Sequence, residues 1–120
     1  LWANACCTHP HWGESPAVCA ARRLREELGM TGLALEHRGQ IEYRADVGGG
    51  MTEHEVVDLY VAETDSRPPL HPDPAEVMAT RWLSPDALRQ EITEASERFT
   101  PWLRIYMHRH QNRILDSRAG

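Results

Sequence analysis

The stretch that decides the fold is residues 14–30, Glu-Ser-Pro-Ala-Val-Cys-Ala-Ala-Arg-Arg-Leu-Arg-Glu-Glu-Leu-Gly-Met. Ser15 followed by Pro16 predicts a helix start, because a serine side chain caps free N–H groups and proline suits the first helical position. Gly29 predicts the helix end, since glycine readily adopts the left-handed conformation found there. The predicted apolar stripe is Ala17, Ala20, Ala21, Leu24 and Leu28. The stretch therefore predicts an amphipathic helix that ends at about Leu28.

Two arginines and two glutamates are paired at helical spacing on this segment. Arg22 and Glu26 are predicted on the solvent side, where an i,i+4 pair contributes about 0.2–0.5 kcal/mol. Arg23 and Glu27 are predicted at the edge of the apolar stripe, from which either side chain could reach into a cleft. Arginine forks onto a diphosphate and a glutamate can hold Mg²⁺ against one. This second pair therefore gives two candidate ligands, with a plain surface ion pair as the alternative.

Outside this helix the sequence predicts strands that alternate with helices. Ser84-Pro85 and Thr100-Pro101 repeat the helix-start pattern, and the last helix is expected to reach about Leu115. The predicted strands are residues 1–7, 33–47 with a turn at Arg38-Gly39, 53–63 and 77–83, with Gly48-Gly49-Gly50 as a flexible joint. The pattern favours the α+β class, a mixed sheet with flanking helices, in a single domain over residues 1–120.

Composition and charge exclude several classes of function. The 120 residues carry a net charge of −5, and all 13 cationic residues are arginine. Because basic residues are not clustered, we expect no general nucleic-acid surface. We expect no membrane span and no signal peptide. Three cysteines, two of them adjacent, do not form a disulfide framework, which favours a reducing, cytoplasmic setting. The start at Leu1 predicts that an N-terminal portion is missing.

Cys7 and His9 are the first candidates for chemistry. A thiol can donate or accept a proton, although a free cysteine is more often inert packing. His9 follows two residues later and shares the face of Cys7 if the strand continues. Histidine is the commonest metal ligand, but a lone histidine is more often a hydrogen-bonded surface or core residue. The two residues therefore define a possible acid/base or metal site.

Glu53 and Glu55 form the second candidate cluster. Two residues apart on a strand, they point the same way. Val57, Leu59 and Val61 continue that face with apolar side chains, so the two carboxylates head an otherwise buried face. Such carboxylates need a partner such as a divalent cation, or one can act as a base. The alternative is a solvated edge strand whose charges oppose aggregation.

Tyr43 and Trp102 are the aromatic candidates. Tyr43 lies in a strand of mixed polarity and could donate a hydrogen bond beside a carboxylate. Trp102 opens the last predicted helix and is most often a core residue. An indole face can also stabilise a cation. These two residues are the last of the candidate site residues that side-chain chemistry alone suggests.

The sequence resembles the type I isopentenyl-diphosphate Δ-isomerases, a family with the Nudix fold. Residues 14–30 resemble a degraded Nudix box, in which Thr8 replaces the first glycine and Arg23 replaces a glutamate. The features shared with the isomerases are Asn4, Cys7, His9 and Pro10, then Tyr43-Arg44-Ala45, Glu53-His54-Glu55 and Pro101-Trp102. The resemblance implies a Nudix-like α+β fold and interconversion of isopentenyl and dimethylallyl diphosphate.

The resemblance also implies a role for each matching residue. Cys7 and Glu55 would be the acid/base pair on opposite faces of the substrate, with Tyr43 assisting near Glu55. Trp102 would stabilise a carbocation-like centre. The implied ligand roles are Arg23 for the diphosphate, Glu27 for a Mg²⁺ ion, and His9, Glu53 and Glu55 for a second divalent metal, Mn²⁺ or Zn²⁺.

Two other functions stay open at this stage. The first is a Nudix hydrolase of a nucleoside diphosphate derivative, against which Arg23 and the Cys7–His9 pair count. The second is a non-catalytic Nudix-like binding domain or an inactive fragment. The family's upstream histidines have no match in this sequence, so the metal site is expected to be incomplete. The expected partner is a small-molecule diphosphate, with no nucleic acid and no membrane.

Overall fold

The computed structural model describes residues 1–6, 9–64 and 68–115. It contains helix α1 (Pro16–Leu28), strands β1 (Glu36–Gly48) and β2 (Met51–Val61), and helices α2 (Pro85–Glu94), α3 (Pro101–Arg109) and α4 (Gln111–Leu115). A short 3₁₀ turn at Ser96–Arg98 separates α2 from α3. The described part therefore mixes helices with a sheet, as the sequence predicts.

The three predicted helix starts are all confirmed. The side chains of Ser15, Ser84 and Thr100 accept hydrogen bonds from the backbone N–H groups of Val18, Ala87 and Leu103. Each cap is followed by a proline in the first turn. Because capping is decided by neighbouring residues, these starts could be read from the sequence alone.

The end of α1 is also confirmed. Gly29 has the left-handed φ of 66° and donates its N–H to Arg25. Two later residues bind the last turn of the helix: the N–H of His71 donates to the carbonyl of Leu28 at 2.8 Å, and the N–H of Asp73 donates to that of Glu27 at 2.9 Å. These bonds satisfy carbonyls that a helix end leaves without intrahelical partners.

The predicted turn at Arg38-Gly39 is wrong. Residues 36–48 form one continuous strand, in which Gly39 takes a φ of 100° that other residues rarely adopt. The chain reverses instead at Gly49 and Gly50, whose φ values are 62° and 75°. Positive φ at both central residues is what a type I′ hairpin turn requires. The three glycines that were expected to be a flexible joint therefore make the β1–β2 hairpin.

Three further predictions differ from the structure. Among residues 1–6 only Trp2 pairs, through a parallel bridge to Phe99, so no strand forms there. Residues 77–83 form no strand either. The last helix is interrupted at His110, which separates α3 from α4. A strand needs a neighbouring strand to pair its backbone N–H and C=O groups. The apolar residues of a segment do not show whether such a neighbour is present.

The chain divides into two compact units. The first unit contains residues 1–4 and 40–57 and the chain from Trp82 onward. Its core consists of Phe99, Leu103 and Met107, with Trp2, Leu88 and Ile92 packed against them. The second unit contains residues 5–39 and 58–81, including α1. The single domain over residues 1–120 stays a prediction.

The buried face of α1 differs in part from the predicted stripe. Leu28 is buried and Leu24 is half-buried, as expected, but Ala17 and Ala21 are exposed and Cys19 is buried instead. Among the described residues, no helix is both long and apolar enough to cross a lipid bilayer.

Candidate functional site

The β1–β2 hairpin positions three of the candidate residues in the first unit. Tyr43 lies in the middle of the buried alternation of β1, between Ile41 and Ala45. On β2, Glu53 and Glu55 are half-buried while their neighbours Thr52, His54 and Val56 are exposed. The prediction that the two glutamates share one inward face is therefore confirmed.

Tyr43 and Glu53 contact each other on this face. Burial is the main cause that raises the pKa of the Tyr43 hydroxyl, and the charges of Tyr106, Glu53 and Glu55 and a hydrogen bond to Glu53 raise it further. The hydroxyl is therefore held protonated and donates to a carboxylate. The ring of Tyr43 meets that of Tyr106 edge-on, with centroids 5.8 Å apart. This contact with α3 fixes the ring, and no sequence pattern predicts it.

His54 does not belong to the same face. It is exposed, and its Nε2 lies 2.8 Å from Oε1 of Glu42 on the neighbouring strand. Because strand side chains alternate, the Glu-His-Glu segment directs two carboxylates inward and the imidazole outward. The segment therefore supplies two oxygen ligands and no nitrogen ligand to the inner face.

Arg23 and Glu27 lie together in the second unit, as the helical spacing predicts. Arg23 Nε is 3.4 Å from Oε2 of Glu27, and its terminal nitrogens bind Glu26 at 2.5 Å and Glu76 at 2.7 Å. Glu76 lies 53 residues along the chain from Arg23. This partner was not predicted, because no local sequence pattern connects it to α1.

Glu27 carries an acceptor that the described residues leave without a hydrogen bond. Its Oε2 atom is buried and has only the ion-pair contact with Arg23. The backbone carbonyl of Glu27 is held by Asp73, so the residue itself is well positioned. A buried carboxylate oxygen with unused lone pairs suits a hard divalent cation.

Arg22 has a different role from the predicted solvent-side pair. It does bind Glu26 at 3.0 Å, but it also forms a two-pronged contact with Glu14 through Nε and Nη2 at 2.7 and 3.1 Å. Glu14 in turn accepts a hydrogen bond from the N–H of His11. These bonds tie the segment before α1 to the middle of the helix.

Three predicted site residues remain, and they lie in different parts of the chain. Cys7 lies outside the described residues. His9 is exposed, in the second unit, and Trp102 is half-buried in the first turn of α3. The structure therefore brings Tyr43, Glu53 and Glu55 together in one unit and, separately, Arg23 and Glu27 in the other. The catalytic and ligand roles of these residues stay predictions.

The carboxylates fit a metal only in part. Within residues 1–6, 9–64 and 68–115 there is no group of three or more His, Cys, Asp or Glu side chains placed to bind one ion. Glu53 and Glu55 nevertheless present two oxygen ligands on one face, which is the ligand type that Mg²⁺ and Mn²⁺ prefer. The described residues thus offer fragments of a metal site.

The family is established by comparison with known proteins. The model of the NUDIX domain family matches residues 1–103. The chain therefore belongs to the NUDIX domain proteins. Within that family it groups with the isopentenyl-diphosphate Δ-isomerases, as the resemblance implies.

Three relatives document this grouping. The chain is 61% identical over 114 residues to an isopentenyl-diphosphate Delta-isomerase of Cereibacter sphaeroides (strain ATCC 17029), a match that covers 95% of the chain and 64% of the relative. It is 58% identical to the protein of that name from Rhodobacter capsulatus, covering 95% and 65%. It is 56% identical to that of Dinoroseobacter shibae, covering 99% and 68%. The chain thus spans about two thirds of the length of these relatives.

Proposed function

We propose that this protein interconverts isopentenyl diphosphate and dimethylallyl diphosphate by protonation and deprotonation. The observation that carries the proposal is the identity of 61% to a relative named for this activity, over 95% of the chain. The face formed by Tyr43, Glu53 and Glu55 supports it, because a half-buried pair of carboxylates, one of them hydrogen-bonded to a tyrosine, is suited to moving a proton.

The reaction moves one carbon–carbon double bond by one position. A proton is added to the terminal carbon of the alkene, which leaves a tertiary carbocation-like centre. A proton is then lost from the carbon on the other side of that centre, and the diphosphate stays attached. One of Cys7 and Glu55 donates the first proton, and the other accepts the second.

Three further residues assist this transfer in the proposal. The Tyr43 hydroxyl stays protonated, since burial raises its pKa, and orients the carboxylate pair by donating a hydrogen bond to Glu53. Trp102 presents an indole to the carbocation-like centre, a charge that an aromatic face stabilises. Arg23 binds the diphosphate through its guanidinium fork.

We infer that the active protein uses divalent cations. Glu27, with its buried oxygen, would hold Mg²⁺ against the diphosphate, and His9, Glu53 and Glu55 would ligate a second ion, Mn²⁺ or Zn²⁺. A bound cation would neutralise the negative charge that the diphosphate and the carboxylates bring together. We also propose a cytoplasmic setting, which the buried free thiol of Cys19 supports.

Replacing the proposed acid/base pair tests the roles directly. Cys7→Ala and Glu55→Gln should each abolish turnover of isopentenyl diphosphate while leaving the circular dichroism spectrum unchanged. Cys6→Ala, the adjacent thiol, and Glu97→Gln, an exposed carboxylate on the 3₁₀ turn, are the matched controls and should stay active. Near-normal turnover by Cys7→Ala or Glu55→Gln would remove that residue from the mechanism.

The rival function is hydrolysis of a nucleoside diphosphate derivative. Membership of the NUDIX domain family keeps this rival open, and Arg23, at a position where the hydrolase signature has a glutamate, counts against it. Phosphorus NMR separates the two reactions, since hydrolysis releases phosphate or a nucleotide and isomerisation keeps the diphosphate intact.

A further inference from the structure

A cavity lies within the first unit, and none of the residues proposed for the reaction is among those that line it. It measures about 230 Å³ and lies among α2, α3 and the start of α4. Its lining residues are Arg89, Ile92, Thr93, Arg104, Met107, His108 and Gln111. A space of this size suits a ligand smaller than the drug-sized molecules that larger pockets hold.

Helical spacing explains why the polar side chains meet there. Arg89 and Thr93 are one turn apart on α2, and Arg104 and His108 are one turn apart on α3. Residues four apart lie on the same helix face, so each helix turns one basic side chain and a second polar group toward the space. Gln111 closes it at the start of α4.

The ionisable side chains of the lining are all basic. It contains two arginines and a histidine, and no carboxylate. Arg89 is partly engaged, because it donates to Gln111 at 3.1 Å and to Asp86, which lies outside the lining. The cavity therefore carries excess positive charge at neutral pH.

Arg104 supplies the strongest indication of a ligand. Within the part of the chain that the structure describes, its side chain has no ion pair, and its Nε atom is buried without a hydrogen bond. Leaving a buried charged donor without an acceptor is unfavourable, and an anion in the cavity would provide that acceptor. Arginine is also the side chain best shaped to bind phosphate oxygens.

Two residues of the lining are apolar and belong to or pack against the core. Met107 belongs to the buried core of the first unit and Ile92 packs against that core. Both also line the cavity. The ligand that this surface fits has an anionic group at one end and a short apolar group at the other.

We propose that this cavity binds an organic phosphate or diphosphate ester, with the phosphate on Arg104 and Arg89 and a short hydrocarbon group against Ile92 and Met107. None of the residues that line the cavity has a role in the proposed reaction. The inference therefore stands whether or not the proposed isomerase activity does.

A ¹H–¹⁵N NMR titration of the full chain tests the proposal, with n-butyl phosphate as the probe at constant ionic strength. Shifts should concentrate on amides of α2, α3 and the start of α4. Arg104→Gln should weaken binding about tenfold, the loss expected for one charge-assisted hydrogen bond. Arg109→Gln is the matched control, since it removes the same charge from an exposed position on α3 outside the lining.

Two further variants complete the design. Arg89→Gln should also weaken binding, and it provides an independent result if Arg104→Gln fails to fold. Arg23→Gln should leave the shifts in α2, α3 and the start of α4 unchanged, because Arg23 does not line the cavity and belongs to the other proposed anion contact. Inorganic phosphate should bind more weakly than n-butyl phosphate, since it lacks the apolar group.

Four results would each overturn the proposal. They are absence of binding, equal losses in Arg104→Gln and Arg109→Gln, loss of the α2 and α3 shifts in Arg23→Gln, and equal affinity for inorganic phosphate and n-butyl phosphate. The second would show a general charge effect, and the third would assign the probe to the proposed substrate site.

Discussion

Arg22 and Glu14 form a two-pronged ion pair across eight residues, with nitrogen–oxygen distances of 2.7 and 3.1 Å. Both side chains are largely shielded from solvent. The pair joins the segment that carries His9 to the helix that carries Arg23 and Glu27. Arg22 was expected to make a solvent-side contact. It is therefore also the residue that holds the segment before α1 against the helix.

This pair predicts a specific dependence of stability on pH. The Arg22 hydrogen bonds are the main cause that lowers the pKa of Glu14 from its ordinary value of 4.5 to about 2. A lowered folded-state pKa stabilises the fold above the ordinary value, and that stabilisation is lost as the pH falls through about 2. Glu14→Gln should therefore be less stable than the natural chain at neutral pH, with the difference vanishing towards pH 2.

Urea denaturation from pH 7 to pH 2 measures this difference. Glu97→Gln serves as the control, because Glu97 is exposed and the described residues show no ion pair for it. Its free energy of unfolding should follow that of the natural chain throughout. A gap between Glu14→Gln and the natural chain that stayed constant with pH would contradict the assigned role of the ion pair.

Gly29 provides a prediction about the end of α1. An added Cβ at this position would lie 2.7 Å from the Cβ of His71 and 2.9 Å from its carbonyl oxygen. Gly32 has a similar positive φ of 73° but nothing within 4 Å. Gly32→Ala should therefore cost about 1–2 kcal/mol for the left-handed conformation alone. Gly29→Ala should cost about 1–3 kcal/mol more, because of the clash.

The difference between these two variants isolates the contact with His71. Chemical denaturation of both gives the two free energies of unfolding. Equal values would mean that residues 71–73 do not pack on the end of α1 in solution. That result would also remove the backbone support proposed for Glu27.

Tyr43→Phe tests the hydroxyl on the inner face of the hairpin. The phenyl ring can keep its edge-on contact with Tyr106, so the fold should persist. The hydrogen bond to Glu53 is lost, and kcat for isomerisation should fall about tenfold to a hundredfold, the range for one bond to a charged group. Tyr60→Phe, whose ring meets His37 instead, is the control and should keep full activity. Unchanged kcat in Tyr43→Phe would exclude the hydroxyl from the proposed mechanism.

Arg23→Gln tests diphosphate binding. Arg23 is half-buried among three carboxylates, whereas Arg25 on the same helix is exposed. Losing a charge-assisted contact to the diphosphate should raise KM about tenfold or more. Arg25→Gln removes the same charge and should leave KM unchanged. Steady-state kinetics with isopentenyl diphosphate distinguishes the two variants. Equal increases in KM would mean that Arg23 contributes only a general positive charge and no specific contact.

The parts of the fold that were predicted correctly are those decided by neighbouring residues. Ser15, Ser84 and Thr100 cap their helices through N–H groups only a few positions away. The inward alternation of Glu53 and Glu55 follows directly from strand geometry. Gly39 was misread because a glycine with positive φ is compatible with a turn and also with an irregular position inside a strand.

The missed features depend on contacts between distant residues. The edge-on contact of Tyr43 with Tyr106 and the ion pair of Arg23 with Glu76 join residues far apart in the chain. No spacing rule connects such positions in one sequence. For Arg22 a weak signal did exist, since Glu14 lies about two helical turns before it, but Glu26 offered a simpler partner at the usual spacing.

Proton and phosphorus NMR of isopentenyl diphosphate with Mg²⁺ in D₂O is the most direct test of the proposed function. The experiment uses the full chain of the protein. The expected product is dimethylallyl diphosphate that carries deuterium from the solvent and keeps its diphosphate intact. Release of phosphate, or no isomerisation by the full chain, would contradict the roles given to Cys7 and Glu55.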